Sequence, residues 1–168
     1  MADLTKEQHI ENINKVIEDV KYAMMTTITA DEKHLHACPM TTNKNELENG
    51  KIWFIGDRKS ETIKDLEKNP QVNLSYTSSD QKDFVSINGT AKLVNDKAKL
   101  DELWSPIYAA FYEKGKEDPN VQVICIECNG AQYWLSGNAV VDMFKMVSAA
   151  VQEGKTAENM GENHSVTF

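Results

Sequence analysis

Short β-rich runs alternate with tight polar turns along most of this chain, which limits it to a sheet built mainly from hairpins. The runs cover residues 22–30, containing MMTTIT, then 34–42, 51–57, 72–78, 83–94, 121–128 and 131–136. Asp31-Glu32-Lys33 and the stretch 79–82 read as turns between paired strands. Asn129-Gly130, flanked by apolar runs, is a strong short hairpin signal and predicts a turn between the last two strands. Residues 43–50 are polar and read as a loop. Gly89, inside the longest run, predicts a bulge or bend.

Helical spacing appears in five places. Ile10, Ile13, Ile17 and Val20 share one face of a helix over residues 4–20, which Thr5 and Gln8 begin with a capping box. Ser60 caps a short helix carrying Ile63 and Leu66, which Asn69-Pro70 ends. Asp96 caps a third, carrying Leu100, Leu103 and Trp104. Pro106 breaks it before an aromatic-rich helical piece at 107–112. Residues 140–151 repeat apolar side chains at helix-like spacing, and the tail 152–168 is polar without a strong pattern. Six or seven strands with flanking helices in 168 residues predict one domain, 1–168, of mainly β or α+β class, closed as an antiparallel barrel.

Charge and cysteine usage exclude several functions. A formal charge of -8 argues against nucleic acid, whose phosphates are met by Lys and Arg. No apolar run approaches the ~20 residues that span a bilayer. The first residues, MADLTKEQHIENI, lack the apolar core of a signal peptide. With three cysteines the chain does not suit a disulfide framework, and a cytoplasmic setting with free thiols is expected.

Three groups of residues could carry chemistry. Arg58, Lys59, Ser60 and Thr62 cluster where a helix start offers unpaired amides, a place suited to an anion such as a phosphate. A solvated turn with an ordinary cap has the same composition and is the commoner outcome. Cys125 and Cys128 match C-x-x-C, but residues three apart on a strand point to opposite faces, so the sulfurs are not expected to meet. His34, His36 and Cys38 would share one strand face and could hold zinc or copper, although no fourth ligand is identifiable. The pattern of a lone histidine pair on polar surface is more common. No Gly-rich nucleotide loop and no nucleophile elbow is present. The tryptophans Trp53, Trp104 and Trp134 could stack on a planar ring or simply fill a core.

The assembled chain resembles the pyridoxamine 5′-phosphate oxidase-like flavoproteins, in particular the general stress protein subgroup of FMN-binding split barrels. The residues that carry the likeness are MMTTITADEKHLHACPM, KIWFIGDRKSETIKDLEKNPQVNLSY and FVSINGTAKLVNDKAKLDELW, followed by K-E-D-P-N at 116–120, A-x-Y-W at 131–134 and G-E-N at 161–163. The resemblance implies a six-stranded split barrel and a homodimer with FMN in clefts between the subunits. It implies Pro39, Met40 and Thr41 along the flavin ring and ribityl chain, with Trp53, Phe54, Ile55 and Gly56 beside them. Arg58, Lys59 and Ser60 would approach the phosphate, and Trp104 and Trp134 would be interface or ring-side residues. Cys38 and Thr62 stand where many relatives carry a cation, so two charge-assisted phosphate contacts would be missing. The implied function is a flavin-dependent oxidoreductase acting on a small molecule. A non-catalytic protein that binds, stores or senses FMN is the alternative. The residues alone name no acid–base group.

Overall fold

A computed structural model describes residues 4–136 and 162–168 of the chain. The expected helix at 140–151 lies outside them. The opening helix α1 (Lys6–Val20) starts as the sequence predicts. Thr5 Oγ1 accepts from the Gln8 amide, and the Thr5 amide donates to Gln8 Oε1 at 2.8 Å. Lys21, in the left-handed region at φ 65°, ends the helix and turns the chain into the sheet. Strands β1 (Tyr22–Ile28) and β2 (Leu35–Thr41) then form the expected antiparallel hairpin. After them come β3 (Asn43–Glu48), β4 (Lys51–Asp57), α2 (Glu61–Lys68), β5 (Gln71–Thr77) and β6 (Phe84–Val94). Helix α3 (Lys97–Leu103), short 3₁₀ turns at Pro106–Ala110 and Gly115–Glu117, and strands β7 (Val121–Leu135) and β8 (Glu162–Thr167) complete the described order.

The strands form one eight-stranded antiparallel sheet in the order β2-β1-β5-β6-β7-β4-β3, with β8 also paired to β7. The sheet is curled into a half-barrel with helices at its flanks. Its strand count differs from the six or seven expected in three places: two strands are gained, and two expected strands merge into β7. Residues 43–50 form a strand and a two-residue turn rather than a loop. Asn49 and Gly50 have φ of 52° and 72°, and Glu48 faces Lys51 across them, the pattern of a type I′ hairpin. The polar tail supplies β8, which runs from Gly130 to Leu135 along β7. Val166 and Phe168 of this segment pack on the main core, which gives a largely polar tail its anchor.

The third correction concerns Asn129-Gly130. No hairpin turn forms there, and β7 runs straight through both residues. The ladder with β6 jumps from Asn88–Gly130 to Gly89–Cys128, so Asn129 is an extra residue without a partner on β6. The pair marks a β-bulge rather than a turn. Gly130 allows β8 to come close, since a Cβ there would lie 3.0 Å from the Val166 carbonyl oxygen. The bend expected at Gly89 is this same bulge, seen from the other strand.

Alternation along the strands builds the core. Ala23, Met25, Leu74, Tyr76, Val85, Ile87 and Tyr133 point inwards against Ile13, Val16 and Ile17 of α1. The Tyr133 hydroxyl meets His9 Nδ1 at 2.7 Å and fastens α1 across the sheet. A smaller second core lies on the other side of β4, where Ile55 and Val123 meet Leu103, Tyr108 and Tyr112. Asn43 joins the two regions, donating to the Leu103 carbonyl and accepting from the Tyr108 hydroxyl.

Gly89 has no room for a side chain. A Cβ there would sit 2.6 Å from Ile126 Cγ2 and 2.7 Å from the Glu127 carbonyl oxygen. Gly89→Ala is expected to lower stability by about 1–3 kcal/mol, the usual cost of overpacking a filled core. Urea unfolding at equilibrium measures it, and a stability equal to the parent would show that the bulge can relax.

Candidate functional site

The curl of the sheet brings β2 and β4 together although they share no ladder. Their inward faces meet beside the start of α2 and enclose a cavity of about 340 Å³. On β2, His36, Cys38 and Met40 are half-buried and alternate with exposed neighbours, so all three face the cavity. Gly56 and Asp57 end β4 on its opposite wall. A Cβ at Gly56 would come within 3.3 Å of Ile124 Cδ1 and 3.5 Å of Met40 Cε, so glycine keeps this wall open. Ser60, Glu61 and Thr62 supply the rim at the helix start, while Ile63 and Ile124 supply an apolar floor.

The helix start is built as the sequence predicts. Ser60 Oγ accepts from the Ile63 amide at 3.3 Å, which occupies the cap. The amides of Glu61 and Thr62 belong to the first turn, which has no carbonyl partner within the helix. Thr62 is buried, and its hydroxyl lies 3.0 Å from Cys38 Sγ.

One turn further along α2, Asp65 is only 2% exposed and ties four elements together. Its carboxylate accepts from Thr27 Oγ1 at 2.8 Å and from the Ala30 amide at 2.9 Å. His36 Nδ1 faces the same carboxylate at 3.1 Å. Because a carboxylate only accepts, Nδ1 carries the proton in this contact, and Nε2 is the ring nitrogen left for a solute. His36 also borders an adjoining hollow of about 560 Å³, lined by Asp31, His34, Glu61 and Asp65 among others. The sequence offered no local signal for this contact, since the two partners lie 29 residues apart.

A separate hollow of about 500 Å³ lies between α1 and the β5–β6 turn. Its acidic groups are already engaged. Asp19 accepts from Ser79, and Asp83 accepts from the Ser136 amide and hydroxyl.

The residues singled out from the sequence divide among five surroundings. Met40, Gly56, Ser60 and Thr62 line the cavity. Phe54 is fully buried in the main core and faces no cavity. Trp53, Ile55 and Trp104 belong to the second core, where Lys99 Nζ lies 4.7 Å from the Trp53 ring and Trp104 packs 5.6 Å from Tyr108. Pro39, Thr41 and Trp134 lie on the outer face of the sheet, opposite the cavity side of β2. Arg58 and Lys59 are exposed beside the cavity mouth. Arg58 Nη2 donates to Asn95 Oδ1 at 3.2 Å, which turns the guanidinium towards the β6–α3 connection. Neither of these two cations lines the cavity.

The metal reading from the sequence does not assemble. His34 lies before β2 begins, His36 turns to Asp65, and Cys38 turns to Thr62. Among the described residues no group of three His, Cys, Asp or Glu is placed to hold a metal ion. Cys125 and Cys128 are buried free thiols. Cys128 packs in the main core, where burial pushes its thiol up to about 12, and burial also raises Cys125. Among the described residues no helix is long and apolar enough to cross a membrane.

Comparison with known proteins follows the fold. A family model described as "Pyridoxamine 5'-phosphate oxidase like" matches residues 8–157. Among curated proteins, Protein bli-3 of Neurospora crassa is 26% identical over 164 residues, which cover 93% of this chain and 78% of that protein. Among solved structures, the general stress FMN/FAD binding protein from the phytopathogen Xanthomonas citri aligns with a TM-score of 0.67 at 32% identity, over 80% of this chain and 93% of that one. The General Stress Protein 26 of Bacillus anthracis aligns with a TM-score of 0.64 at 23% identity, over 74% of this chain and 92% of that one, a likeness of fold.

The three cysteines should separate cleanly in the native protein. Cys38 is half-buried at the cavity, whereas Cys125 and Cys128 are closed in with raised thiols. With a disulfide reagent such as DTNB, one thiol is expected to react natively and the other two only in denaturant. Native reaction of all three would contradict the burial of β7.

Proposed function

The chain belongs to the pyridoxamine 5′-phosphate oxidase-like family, and from that premise we propose that it binds FMN at the cavity between β2, β4 and α2 and works as a flavin-dependent oxidoreductase on a small molecule. The observation that carries the reading is the pairing of an apolar floor with an open helix start in one hollow. Met40, Gly56, Ile63 and Ile124 give a surface suited to a flat, largely apolar ring. The amides of Glu61 and Thr62 and the Thr62 hydroxyl suit the phosphate end, because a helix N-terminus favours an anion. The residues present therefore fit the cofactor, with hydrogen-bond donors taking much of the part that fixed cations would play. A similar structure, that of Xanthomonas citri, is described as FMN/FAD binding, which supports a flavin here.

When bound, the flavin supplies the hydride or electron transfer. The protein's own residues position it. The Ser60 cap holds the first turn of α2 in place, Gly56 leaves space over the floor, and Asp65 fixes the His36 ring at the wall. Arg58 and Lys59 add positive charge beside the mouth, where two carboxylates, Asp57 and Glu61, would otherwise repel an anion.

The partner in this reading is a second copy of the chain. Strand register places Tyr22, Met24, Leu35, Pro39, Phe84 and Trp134 on one outer face of the sheet, without a covering layer among the described residues. Leu35 is 74% exposed and Tyr22 56%, which is costly for side chains of that size on a free surface. Docking two such faces would cover Pro39, Thr41 and Trp134 and bring them towards a shared cleft.

Two measurements test the reading. Purified protein supplied with FMN is expected to be yellow and to retain the flavin spectrum after desalting; a colourless protein that fails to quench FMN fluorescence would sink it. Under anaerobic conditions, bleaching of the bound flavin by NADPH or NADH is expected for an oxidoreductase, and no bleaching with either donor would favour a flavin carrier. For the dimer, Tyr22→Asp combined with Met24→Asp is expected to halve the mass seen by analytical ultracentrifugation and to weaken flavin binding. An unchanged mass would place the interface elsewhere.

A further inference from the structure

We infer that Asn49-Gly50 is a self-modification site: in the folded protein the Asn49 side-chain amide is converted to a carboxylate through a cyclic imide. The chain's two other Asn-Gly pairs, Asn88-Gly89 and Asn129-Gly130, are held back by the sheet. Nothing in this depends on a bound flavin.

The chemistry needs only the pair itself and water. The Gly50 backbone nitrogen gives up its proton and bonds to Asn49 Cγ. The Cγ–Nδ2 bond breaks, and ammonia leaves carrying a proton. Water then opens the imide, and no electrons pass to or from another reactant. Cleavage of the new Cγ–N bond leaves aspartate. Cleavage of the original backbone C–N bond leaves isoaspartate, in which the main chain runs through the side-chain carbon. A following glycine favours ring closure, because no side chain crowds the attacking nitrogen. All three pairs share that advantage, and all three asparagines are exposed. Exposure therefore does not rank them. Ring closure needs rotation about the asparagine backbone, so each rate follows the ease of local opening.

Local opening separates the pairs. Asn49 and Gly50 make up the whole of a two-residue turn at the end of β3, an edge strand of the sheet. Behind the turn the β3–β4 register shifts between Asn43 and Glu48, so the ladder that would hold it shut is irregular. The Cys128 amide donates to the Gly50 carbonyl at 2.8 Å, a contact that does not engage the Gly50 nitrogen. Gly89 and Gly130, by contrast, are buried inside strands. Asn88 is paired with Asn73 on one side and Gly130 on the other, and Gly89 lies between Val72 and Cys128. Gly130 lies between Asn88 and Thr167, and the Asn129 carbonyl accepts from the Phe168 amide at 3.1 Å. Freeing either of these pairs means unzipping β6 from β7. At the β3–β4 turn the product adds a negative charge next to Glu48, in a chain whose formal charge is already -8.

The test incubates the native protein in mildly alkaline buffer and follows the three Asn-Gly peptides by mass spectrometry, with a parallel sample in urea. In the native sample Asn49 is expected to convert at least about tenfold faster than Asn88 or Asn129, since a modest difference in opening free energy gives that ratio. In urea, where the sheet no longer ranks the sites, the three rates are expected to agree within about threefold. Anion exchange is expected to resolve the converted native protein as a more acidic species, and its Asn49 peptide to accept methyl groups from an isoaspartyl methyltransferase. Asn49→Gln, whose longer side chain would have to close a larger ring, is expected to form that species far more slowly. Equal native rates at the three pairs would overturn the inference, as would an Asn49 that converts in urea and not in the native protein. An acidic species that forms as fast in Asn49→Gln as in the parent would overturn it too.

Discussion

Every residue of β6 from Phe84 to Val94 has a partner on β7, and this long ladder is the constraint on which the rest of the sheet depends. Its bulge at Asn88-Gly89 and Asn129 divides β7 into two working halves. A bulge bends the strand and strengthens its twist, so the halves aim in different directions. The half from Val121 to Glu127 takes β4 as its second neighbour, and the half from Gly130 to Leu135 takes β8. Through β5 and β1 the other side of β6 carries β2 around the curl until it faces β4. The cavity exists because these two strands come close without pairing.

Asp65 then secures what the curl has brought together. A buried carboxylate that lost its donors would be costly, so Thr27 of β1, Ala30 of the following turn and His36 of β2 hold α2 against the hairpin. The contact is structural and chemical at once. It fixes the seat of α2, whose first turn forms the cavity rim, and it selects the histidine nitrogen that remains available. A surface ion pair such as Lys64 with Glu61 lies nearby but is exposed at both ends and adds little of this kind.

Much of this fold was legible because its signals are local. The Thr5–Gln8 box, the Ser60 cap, the β1–β2 hairpin and the Gly89 bend follow from residues within a few positions of one another. The misreadings share one physical cause. Asn-Gly suits both a type I′ turn and a bulge, and only the partner strand decides between them. At Asn49-Gly50 the chain folds back on itself, whereas at Asn129-Gly130 the ladder to β6 continues on both sides and holds β7 extended. Strand β8 was hidden because its pattern is mostly polar, and its pairing comes from the free edge of a strand some thirty residues earlier. At the site, the helix start could be read from Ser60, but the His36–Asp65 contact could not, since neither residue has a distinctive neighbourhood. Alternation along β2 and β4 decides which of their side chains face the hollow. Phe54 and Trp53 show the difference, being adjacent in sequence and committed to separate cores.

The cavity is also satisfied in itself, and this bears on how a cofactor would be held. Thr62 and Cys38 complete each other's hydrogen bond, Ser60 is used by the cap, and His36 has Asp65. Among the described residues, the buried side-chain polar atom without a partner is Asn69 Nδ2, at the opposite end of α2. Among the described residues, the cavity walls therefore keep no orphan buried side-chain donor that only a ligand could relieve. In a cavity built around fixed cations, ligand and fold would stabilise each other strongly. Here a hydroxyl and a thiol occupy the wall beside the helix start, and two carboxylates stand at the rim. A ligand's hold on such a site would come first from the apolar floor and the amides of the helix start.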